Sequence, residues 1–198
     1  MSLASSELAR VSHIVRNTLS FYRESSKPVP VRITEVLDYV LEVYNRHITE
    51  KSIKIEKRYA FDQAIASFPG ELRQIFSNLI SNSIDALPAG GELKLSVRTC
   101  VHPQSKVEGI RVTIADRGHG IPPEHREKLF EPFFTTKGEK GTGLGLWVTQ
   151  GILHKQGGSI RVRSRSGKES PWTAFSVFIP GSIQIEERKT MSRAQEIA

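Results

Sequence analysis

Hydrophobic residues recur along this chain with two spacings, one typical of helices and one typical of strands. Apolar residues three to four positions apart predict helices over 34–44, 69–87 and 144–156. Alternating apolar residues predict strands over 53–59, 64–68, 92–101, 110–116, 159–164 and 174–179. A short helix is expected over 123–130. This order favours an α+β fold, a two-layer α/β sandwich in which a mixed, mostly antiparallel sheet packs on about three helices.

The first 30 residues look separate from this domain. Residues 3–26 have the periodicity of one amphipathic helix without Pro or Gly. Lys27-Pro-Val-Pro-Val31 then ends the helical pattern, because two prolines hold the backbone extended, and it is predicted to be a linker or a domain boundary. We therefore expect a helical remnant with its linker over 1–30, the main domain over 31–180 and a polar tail over 181–198.

Two local features refine the prediction for the main domain. Thr34 is the expected N-cap of its first helix. The buried face of that helix is predicted to consist of Val36, Leu37, Val40, Leu41, Val43 and Tyr44. Residues 131–143 are rich in Gly, Thr and Lys with little apolar periodicity, so a mobile segment is expected there.

Composition is compatible with a single core and excludes some classes of site. The chain has 198 residues, 38% of them hydrophobic, and one cysteine, Cys100, which cannot form an internal disulfide or a cysteine metal cluster. No apolar run reaches the roughly 18 residues of a membrane span, and the first residues lack signal-peptide features. A cytoplasmic location is expected, although a longer parent protein could be anchored in a membrane.

The net charge of +7 raises the question of a nucleic-acid partner. The densest basic stretch, Arg161-Val-Arg-Ser-Arg-Ser-Gly-Lys168, alternates like a strand with one solvated face. No aromatic residues interleave with it for base stacking. We expect no nucleic-acid partner, and a basic surface that attracts an anionic ligand or an acidic partner domain.

The helix over 69–87 carries the first candidate site residues. Asn78, Asn82 and Asp85 lie at positions i, i+4 and i+7, within roughly 60° of arc and away from the apolar face. Asn and Asp are poor residues for a helix interior, so this grouping suggests oxygen ligands presented on one side. A solvated polar face is the alternative for this helix taken alone.

Two glycine-rich stretches follow. In Asp116-Arg-Gly-His-Gly-Ile121 the glycines allow close approach to a flat ligand, and Asp116 could accept a hydrogen bond from an exocyclic amine. An ordinary turn is the alternative. Lys140-Gly-Thr-Gly-Leu-Gly-Leu146 runs into a helix, where backbone N–H groups suit phosphate. Its spacing fits neither a dinucleotide fingerprint nor a Walker loop.

In their order these segments resemble the catalytic, ATP-binding domain of sensor histidine kinases, within the Bergerat ATPase group. The stretch from Asn78 to Asp85 resembles the N box, and 116–121 the first glycine box. Phe130-Glu-Pro-Phe-Phe-Thr-Thr-Lys137 resembles the F box, which favours sensor kinases over the other members of the group. Residues 141–145 resemble the second glycine box. The resemblance covers about residues 33–180.

The resemblance implies a role for each matching residue. Asn82 would bind Mg²⁺, Asn78 would assist at the metal or phosphates, and Asp116 would bind the adenine amine. Lys137 would contact the terminal phosphate, although a solvated lysine is the alternative. The implied cofactor-binding residues also include Asp85, Gly118, Gly120, Ile121, Phe130, Thr136, Gly141, Thr142, Gly143, Leu144, Gly145, Leu146 and Thr173. Clustered phenylalanines are usually core residues, and the resemblance implies instead that Phe130, Phe133 and Phe134 anchor the hinge of a lid.

The chain also departs from the family pattern. Arg117 and His119 stand where small or polar residues are commoner, and Trp172 stands where a glycine is usual. These departures put one edge of the adenine pocket in doubt.

The phosphoacceptor histidine is expected to lie outside this chain. His13-Ile-Val-Arg-Asn-Thr-Leu19 superficially resembles an acceptor motif, but Ile14 replaces the acidic partner and Thr18 replaces the proline. Residues 3–26 match better the end of the second helix of a dimerisation domain, so the chain should not phosphorylate itself.

The resemblance implies an ATP- and Mg²⁺-dependent protein histidine kinase. Its partners would be the dimerisation domain of a homodimeric parent and a response regulator receiver domain. Two alternatives stay open, a nucleotide-binding module without transfer activity and an ATP-hydrolysing or serine-phosphorylating relative.

Overall fold

The computed structural model describes residues 27–138, 141–167 and 169–181. The predicted helix over 3–26, with His13, lies outside the described residues, as does the tail beyond Gly181. In chain order the elements are β1 (Val29–Arg32), α1 (Ile33–Val43), α2 (Asn45–Glu50), β2 (Lys54–Tyr59), β3 (Ala64–Ser67), α3 (Pro69–Ala86), β4 (Glu92–Val101), β5 (Glu108–Asp116), α4 (Pro123–Arg126), α5 (Gly145–Lys155), β6 (Ser159–Arg165) and β7 (Trp172–Pro180).

Five strands form the main sheet in the order β2-β4-β5-β7-β6. The β2–β4 contact is parallel and the other three contacts are antiparallel. Strands β1 and β3 form a separate antiparallel pair. The predicted α+β class with a mixed, mostly antiparallel sheet is confirmed, and the three longer helices correspond to the three predicted from the apolar spacing.

The core lies between one face of this sheet and the helices. Along β4 and β5 alternate residues are fully buried, such as Leu95 and Ile114, as the period of two requires. Helix α3 is central, since it contacts α1, α5 and β5. Its buried side chains include Leu72, Phe76 and Leu79, which confirms its predicted apolar face.

A lysine fixes the end of α3 that lies nearest to the predicted site. The Lys51 ammonium donates to the carbonyl oxygens of Ile84 at 2.7 Å and Leu87 at 3.0 Å. These carbonyls have no partner within the helix, and the positive charge of the lysine is attracted to the negative end of the helix dipole. Helix α3 is therefore stabilised where its polar residues are presented.

Some local predictions were wrong. The stretch predicted as a linker forms β1, in which Val29 and Pro30 pair with Ser67 and Ala66. Proline is tolerated because this is an edge pairing, in which its missing N–H need not be satisfied. The N-cap of α1 is Arg32 rather than Thr34, and Thr34 is buried.

Two further boundaries differ from the prediction. Val43, predicted to be buried, is 60% exposed, because α1 ends at this residue and the chain turns into α2. The helix predicted over 123–130 ends at Arg126, and the bonds that follow it are turns from Lys128 to His125 and from Glu131 to Lys128. In the described ranges, no helix has the length and apolar character needed to cross a membrane.

Candidate nucleotide-binding site

The predicted motif residues meet where the second half of α3, the end of β5 and the start of α5 come together. Helix α3 contacts both β5 and α5. Asp116 is the last residue of β5, and Asn78 faces the first turns of α5. The segments that resembled three separate motifs are thus neighbours in space.

Asp116 is a buried carboxylate at the bottom of this region. It is 3% exposed. One of its oxygens accepts a hydrogen bond from the Ser83 hydroxyl at 3.0 Å, and the other accepts from the Gly118 amide at 3.0 Å. Each carboxylate oxygen has a second lone pair, so Asp116 keeps acceptor capacity for a ligand N–H.

Burial raises the pKa of Asp116 above its usual value, while the Gly118 amide, the Ser83 hydroxyl and the charge of His119 act in the opposite direction. Because the pKa in the folded state is raised, the stability that Asp116 contributes is fully present below its usual pKa and is lost as the pH rises through the raised pKa. A buried carboxyl with a raised pKa is typical of functional sites.

The two glycines after Asp116 allow the backbone to pass close to its neighbours. A Cβ on Gly118 would lie 2.6 Å from the carbonyl oxygen of Ala86 at the end of α3. Gly120 has φ of +73°, and a Cβ there would collide with the Arg165 carbonyl oxygen at the end of β6. The Asp116–Gly120 turn therefore closes against both α3 and β6, and side chains at these positions would push them apart.

We expect Gly120→Ala to destabilise the protein by more than about 2 kcal/mol. Alanine is strained in the left-handed backbone conformation of this position, and its Cβ would clash with the Arg165 carbonyl oxygen. Gly151→Ala is the matched control, since Gly151 lies in α5, where an added Cβ would meet nothing within 4 Å. That control should stabilise slightly through its helix propensity. Urea denaturation measures both, and equal stability of the two variants would contradict the packing described for the turn.

Thr173 lies beside Asp116 on the neighbouring strand. The two residues are paired across β5 and β7, and Thr173 is buried. The Ser164 hydroxyl donates to the Trp172 carbonyl at 2.8 Å and accepts from the Ile121 amide at 2.8 Å. With its one hydrogen committed, Ser164 must accept from the Thr173 hydroxyl at 3.0 Å, which leaves the Thr173 oxygen free to accept.

Asn82 and Asp85 point toward a common position one turn apart on α3. The Lys137 ammonium donates to the Asn82 side-chain oxygen at 2.8 Å and to the Asp85 carboxylate at 2.5 Å. Two oxygen atoms therefore already converge on one cation. No cluster of three or more His, Cys, Asp or Glu suited to a metal occurs among the described residues, so Mg²⁺ held here would need phosphate and water as its remaining ligands. The donors fit such an ion.

Asn78 links α3 to α5. Its side-chain NH₂ donates to the Gly145 carbonyl at 2.8 Å and to the Thr149 hydroxyl at 3.1 Å, while Gln74 donates to its oxygen at 3.2 Å. Thr149 is fully buried. In this arrangement Asn78 holds the first turn of α5 against α3, and its predicted role at the metal or phosphates stays a prediction.

Residues 127–144 connect α4 to α5, and residues 131–146 carry most of the predicted phosphate contacts. Gly143 has φ of +66°, and a Cβ there would collide with the Phe133 backbone. A Cβ on Gly141 would likewise collide with the Thr135 side chain. The Leu144 amide donates to the Thr142 hydroxyl at 3.4 Å. The described part of this segment thus folds back on itself, while its predicted mobility and lid role stay predictions.

The remaining predicted residues lie around this segment. Ile121 and Leu146 are partly buried against the core, Phe130 is partly buried, and Thr136 is exposed. Phe133 is 67% exposed, so this aromatic side chain is not part of the core.

Sequence reasoning missed Ser83 and Ser164. Ser83 lies four positions after Leu79 and seven after Phe76, in line with the buried face of α3. Ser164 follows the inward positions Ile160 and Val162 of β6. A polar residue at a position predicted to be buried needs a partner, and that signal could have identified both.

Comparison with known proteins gives the following matches. The family described as histidine kinase-, DNA gyrase B-, and HSP90-like ATPase matches residues 68–183. The sensor kinase CckA of Brucella abortus is 34% identical over 187 residues, which cover 88% of this chain and 19% of that protein. The chain thus spans about a fifth of the length of this relative.

Solved structures show the same fold. A mycobacterial sensor histidine kinase, MprB, superimposes with a TM-score of 0.67 at 29% identity over 79% of this chain and 99% of that chain. Full-length ShkA in complex with AMPPNP superimposes with a TM-score of 0.68 at 27% identity, over 86% of this chain and 36% of that chain. The fold and the family predicted from the four motifs are confirmed.

Proposed function

Because the chain belongs to the histidine kinase-, DNA gyrase B- and HSP90-like ATPase family, we propose that it is the ATP-binding catalytic domain of a sensor histidine kinase. In this proposal it transfers the γ-phosphoryl group of ATP to a histidine on a helical dimerisation domain. The observation that carries the proposal is the buried carboxylate of Asp116 between the end of α3 and the turn at Gly118.

The adenine end of the nucleotide is assigned to Asp116 and Thr173. Asp116 accepts a hydrogen bond from the exocyclic amine, and the Thr173 oxygen, which keeps its lone pairs, accepts a second one directly or through water. Gly118 and Gly120 keep the turn flat beside the base. Support comes from the burial of both polar side chains and from the AMPPNP complex of the similar kinase ShkA.

The phosphate end is assigned to the loop before α5 and to the Lys137 cluster. The backbone N–H groups at Gly143 and Gly145 lie at the positive end of the α5 dipole. Asn82, with Asp85 nearby, would hold Mg²⁺, which supplies positive charge against the phosphates. Lys137 is then released from these oxygens and its ammonium can contact the terminal phosphate.

The reaction itself needs positioning more than covalent chemistry from this chain. An imidazole nitrogen of the acceptor histidine forms a bond to the γ-phosphorus as the bond to the β,γ-bridging oxygen breaks, and ADP leaves. The chain orients ATP from its base to its phosphates and neutralises charge. The acceptor and the carboxylate that removes the imidazole proton belong to the partner domain.

A phosphoryl-transfer assay with a separately supplied acceptor domain tests this function. The full chain with γ-labelled ATP should label a histidine-bearing two-helix domain of a related kinase, and should not label itself. The product should be acid-labile and base-stable, as phosphohistidine is. Label on His13 that is lost in His13→Gln would instead make the N-terminal residues the acceptor.

Other outcomes identify the alternative functions. Nucleotide binding without transfer would indicate a signalling module, release of inorganic phosphate would indicate an ATPase, and acid-stable phosphate would indicate a serine kinase. If the transfer is observed, the wider proposal includes a homodimeric parent kinase in the cytoplasm and a response regulator receiver domain as the next acceptor.

A further inference from the structure

The five-stranded sheet has a second face, opposite to the core and to Asp116. Its side chains are those at the alternate positions of each strand, and we call this surface the outer face. The small residues at its centre, Ser96, Thr113, Ala115, Ala174 and Ser176, are only partly buried. Phe178 lies on this face at one end of β7 and is buried beside His102. Within the described ranges the rest of the face, toward β6 and the centre of the sheet, is open to an occupant.

The outer face is strongly basic. Its acidic positions in the described strands are Glu56 and Glu92. Its basic side chains, including Arg117 just after β5, are Lys54, Arg58, Lys94, Arg98, Arg111, Arg117, Arg161, Arg163 and Arg165.

The two acidic side chains are already engaged. Glu56 pairs with Lys94 at 2.6 Å, and Glu92 pairs with Arg117 at 3.2 Å. Hydrogen bonds from Lys94 and Arg58 keep the pKa of Glu56 below its usual value.

The arginines nearest to the β6 edge have no such partners. Arg161 and Arg163 are exposed and form no ion pair with any described residue. They lie two residues apart on β6, so their side chains project from the same face and their Cα atoms are about 7 Å apart. Guanidinium groups in this arrangement match carboxylates, which they bind through paired hydrogen bonds.

We propose that the outer face is a docking surface for an acidic surface of another protein. Its contact would centre on Arg161 and Arg163, at the β6–β7 side of the sheet. The proposal is independent of nucleotide binding, because these side chains and Asp116 lie on opposite faces of the sheet.

A cleft at one corner of this face provides an anchor point. It has a volume of about 290 Å³ and is lined by Arg117, Arg165, Ser170, Pro171 and Trp172. The Arg165 guanidinium is held by the Ser170 carbonyl at 2.8 Å, which orients it at the wall. Interface hot spots are enriched in tryptophan and arginine, the residues found together in this cleft. A role in docking would explain why Arg117 and Trp172 depart from the family pattern.

Size and charge decide between possible occupants. Five strands about 4.8 Å apart and roughly seven residues long present about 550 Å² in projection, just below the roughly 600 to 1,000 Å² that each partner contributes to a standard interface. A second copy of this chain is disfavoured, because its net charge is also +7. A uniform polyanion would be repelled by Glu56 and Glu92, whereas a protein surface can place cations opposite these two side chains. An acidic protein surface is therefore favoured over a polyanion.

The experiment compares charge reversals on the full chain. Arg161→Glu with Arg163→Glu removes the proposed centre, and Arg46→Glu with Lys128→Glu makes the same charge change at exposed positions outside the sheet. The probe is a fluorescent peptide of about twelve residues that alternates Glu and Ser, with binding followed by anisotropy at about 50 and about 200 mM salt. We expect the β6 variant to lose affinity about tenfold and the control variant to lose less than about threefold.

Two further measurements locate the binding. In a Trp147→Phe background Trp172 is the only tryptophan, and the peptide should change its emission. ADP affinity should be the same in both charge-reversal variants, so that failure of this proposal and failure of the proposed nucleotide site are distinguishable.

Several results would overturn the proposal. Absence of peptide binding would do so, as would equal losses in the two charge-reversal variants or an unchanged Trp172 emission. Tighter binding of a duplex of about twenty base pairs, or of vesicles with about 30% phosphatidylserine, through the same arginines would make the face a nucleic-acid or membrane surface instead.

Discussion

Replacing Asp116 by asparagine is expected to lower the affinity for ADP and ATP by about 10- to 100-fold while the fold is retained. Asparagine has the shape of aspartate, and its one oxygen can still accept from the Gly118 amide, while its NH₂ donates to the Ser83 hydroxyl, which now has to accept; both groups lie 3.0 Å from Asp116. The variant loses the negative charge and one acceptor oxygen, which together bind the adenine amine in the proposed site. Calorimetric titration with ADP in the absence of Mg²⁺ measures this effect without any contribution from the metal.

Ser83→Ala is the matched control for this change. It removes one partner of Asp116 but keeps the carboxylate, so ADP affinity should fall by less than about fivefold. Asp116→Asn should also unfold no more easily than the original chain, since burial already raises the pKa of this carboxyl and its charge is costly. A folded Asp116→Asn variant with the original ADP affinity would rule out Asp116 as the adenine acceptor.

Replacing Asn82 by alanine is expected to reduce phosphoryl transfer to a supplied acceptor by about 100-fold or more. It should also remove most of the gain in ATP affinity that Mg²⁺ provides. The reason is the loss of an oxygen ligand for the metal, without any change in the contacts proposed for the base. Titration of ATP with and without Mg²⁺, together with metal-free ADP, separates the two ends of the nucleotide, and metal-free ADP should bind as before.

Asn82 also accepts a hydrogen bond from Lys137, so the loss of this bond could by itself explain the effect of Asn82→Ala. Two variants test that explanation. Asn82→Asp keeps an oxygen atom and should retain Mg²⁺-dependent binding. Lys137→Met removes the same hydrogen bond without removing the ligand. If Lys137→Met lost Mg²⁺ dependence as completely as Asn82→Ala, or if metal-free ADP also bound more weakly to Asn82→Ala, the assignment of Asn82 to the metal would be wrong.

The candidate site could be predicted in part because its motifs are short and local. Asp116, Gly118 and Gly120 lie within one turn, and Asn78, Asn82 and Asp85 within about two turns of one helix, so spacing alone places each group on one face or at one bend. The structure brings the end of β5, α3 and the start of α5 together as the resemblance implied. What Asn78 does was not evident, since its bonds to Gly145 and Thr149 depend on how α5 docks.

Contacts between distant segments could not be predicted in this way. Ser83 and Asp116 are 33 residues apart, and Lys137 and Asp85 are 52 residues apart. Which of the three serines of α3 meets a carboxylate depends on the rotation of α3 against β5, because a shift of one residue turns the helix face by about 100°. The prolines after Lys27 likewise suggested a linker. They form a strand only because β3 lies beside them in the structure and offers an edge to pair with, and this could not be seen from the local sequence.

The fold class, the positions of the longer helices and strands, and the family could all be predicted from the sequence. These follow from periodicity and from motifs read over short windows, where local geometry leaves few choices. Only the packing of distant segments places Ser83 and Thr173 beside Asp116 and Lys137 between Asn82 and Asp85. The same packing brings the alternate arginines of β6 together with those of other strands on the outer face. Strand order and register bring these groups together, and both are set by packing between segments far apart in the chain.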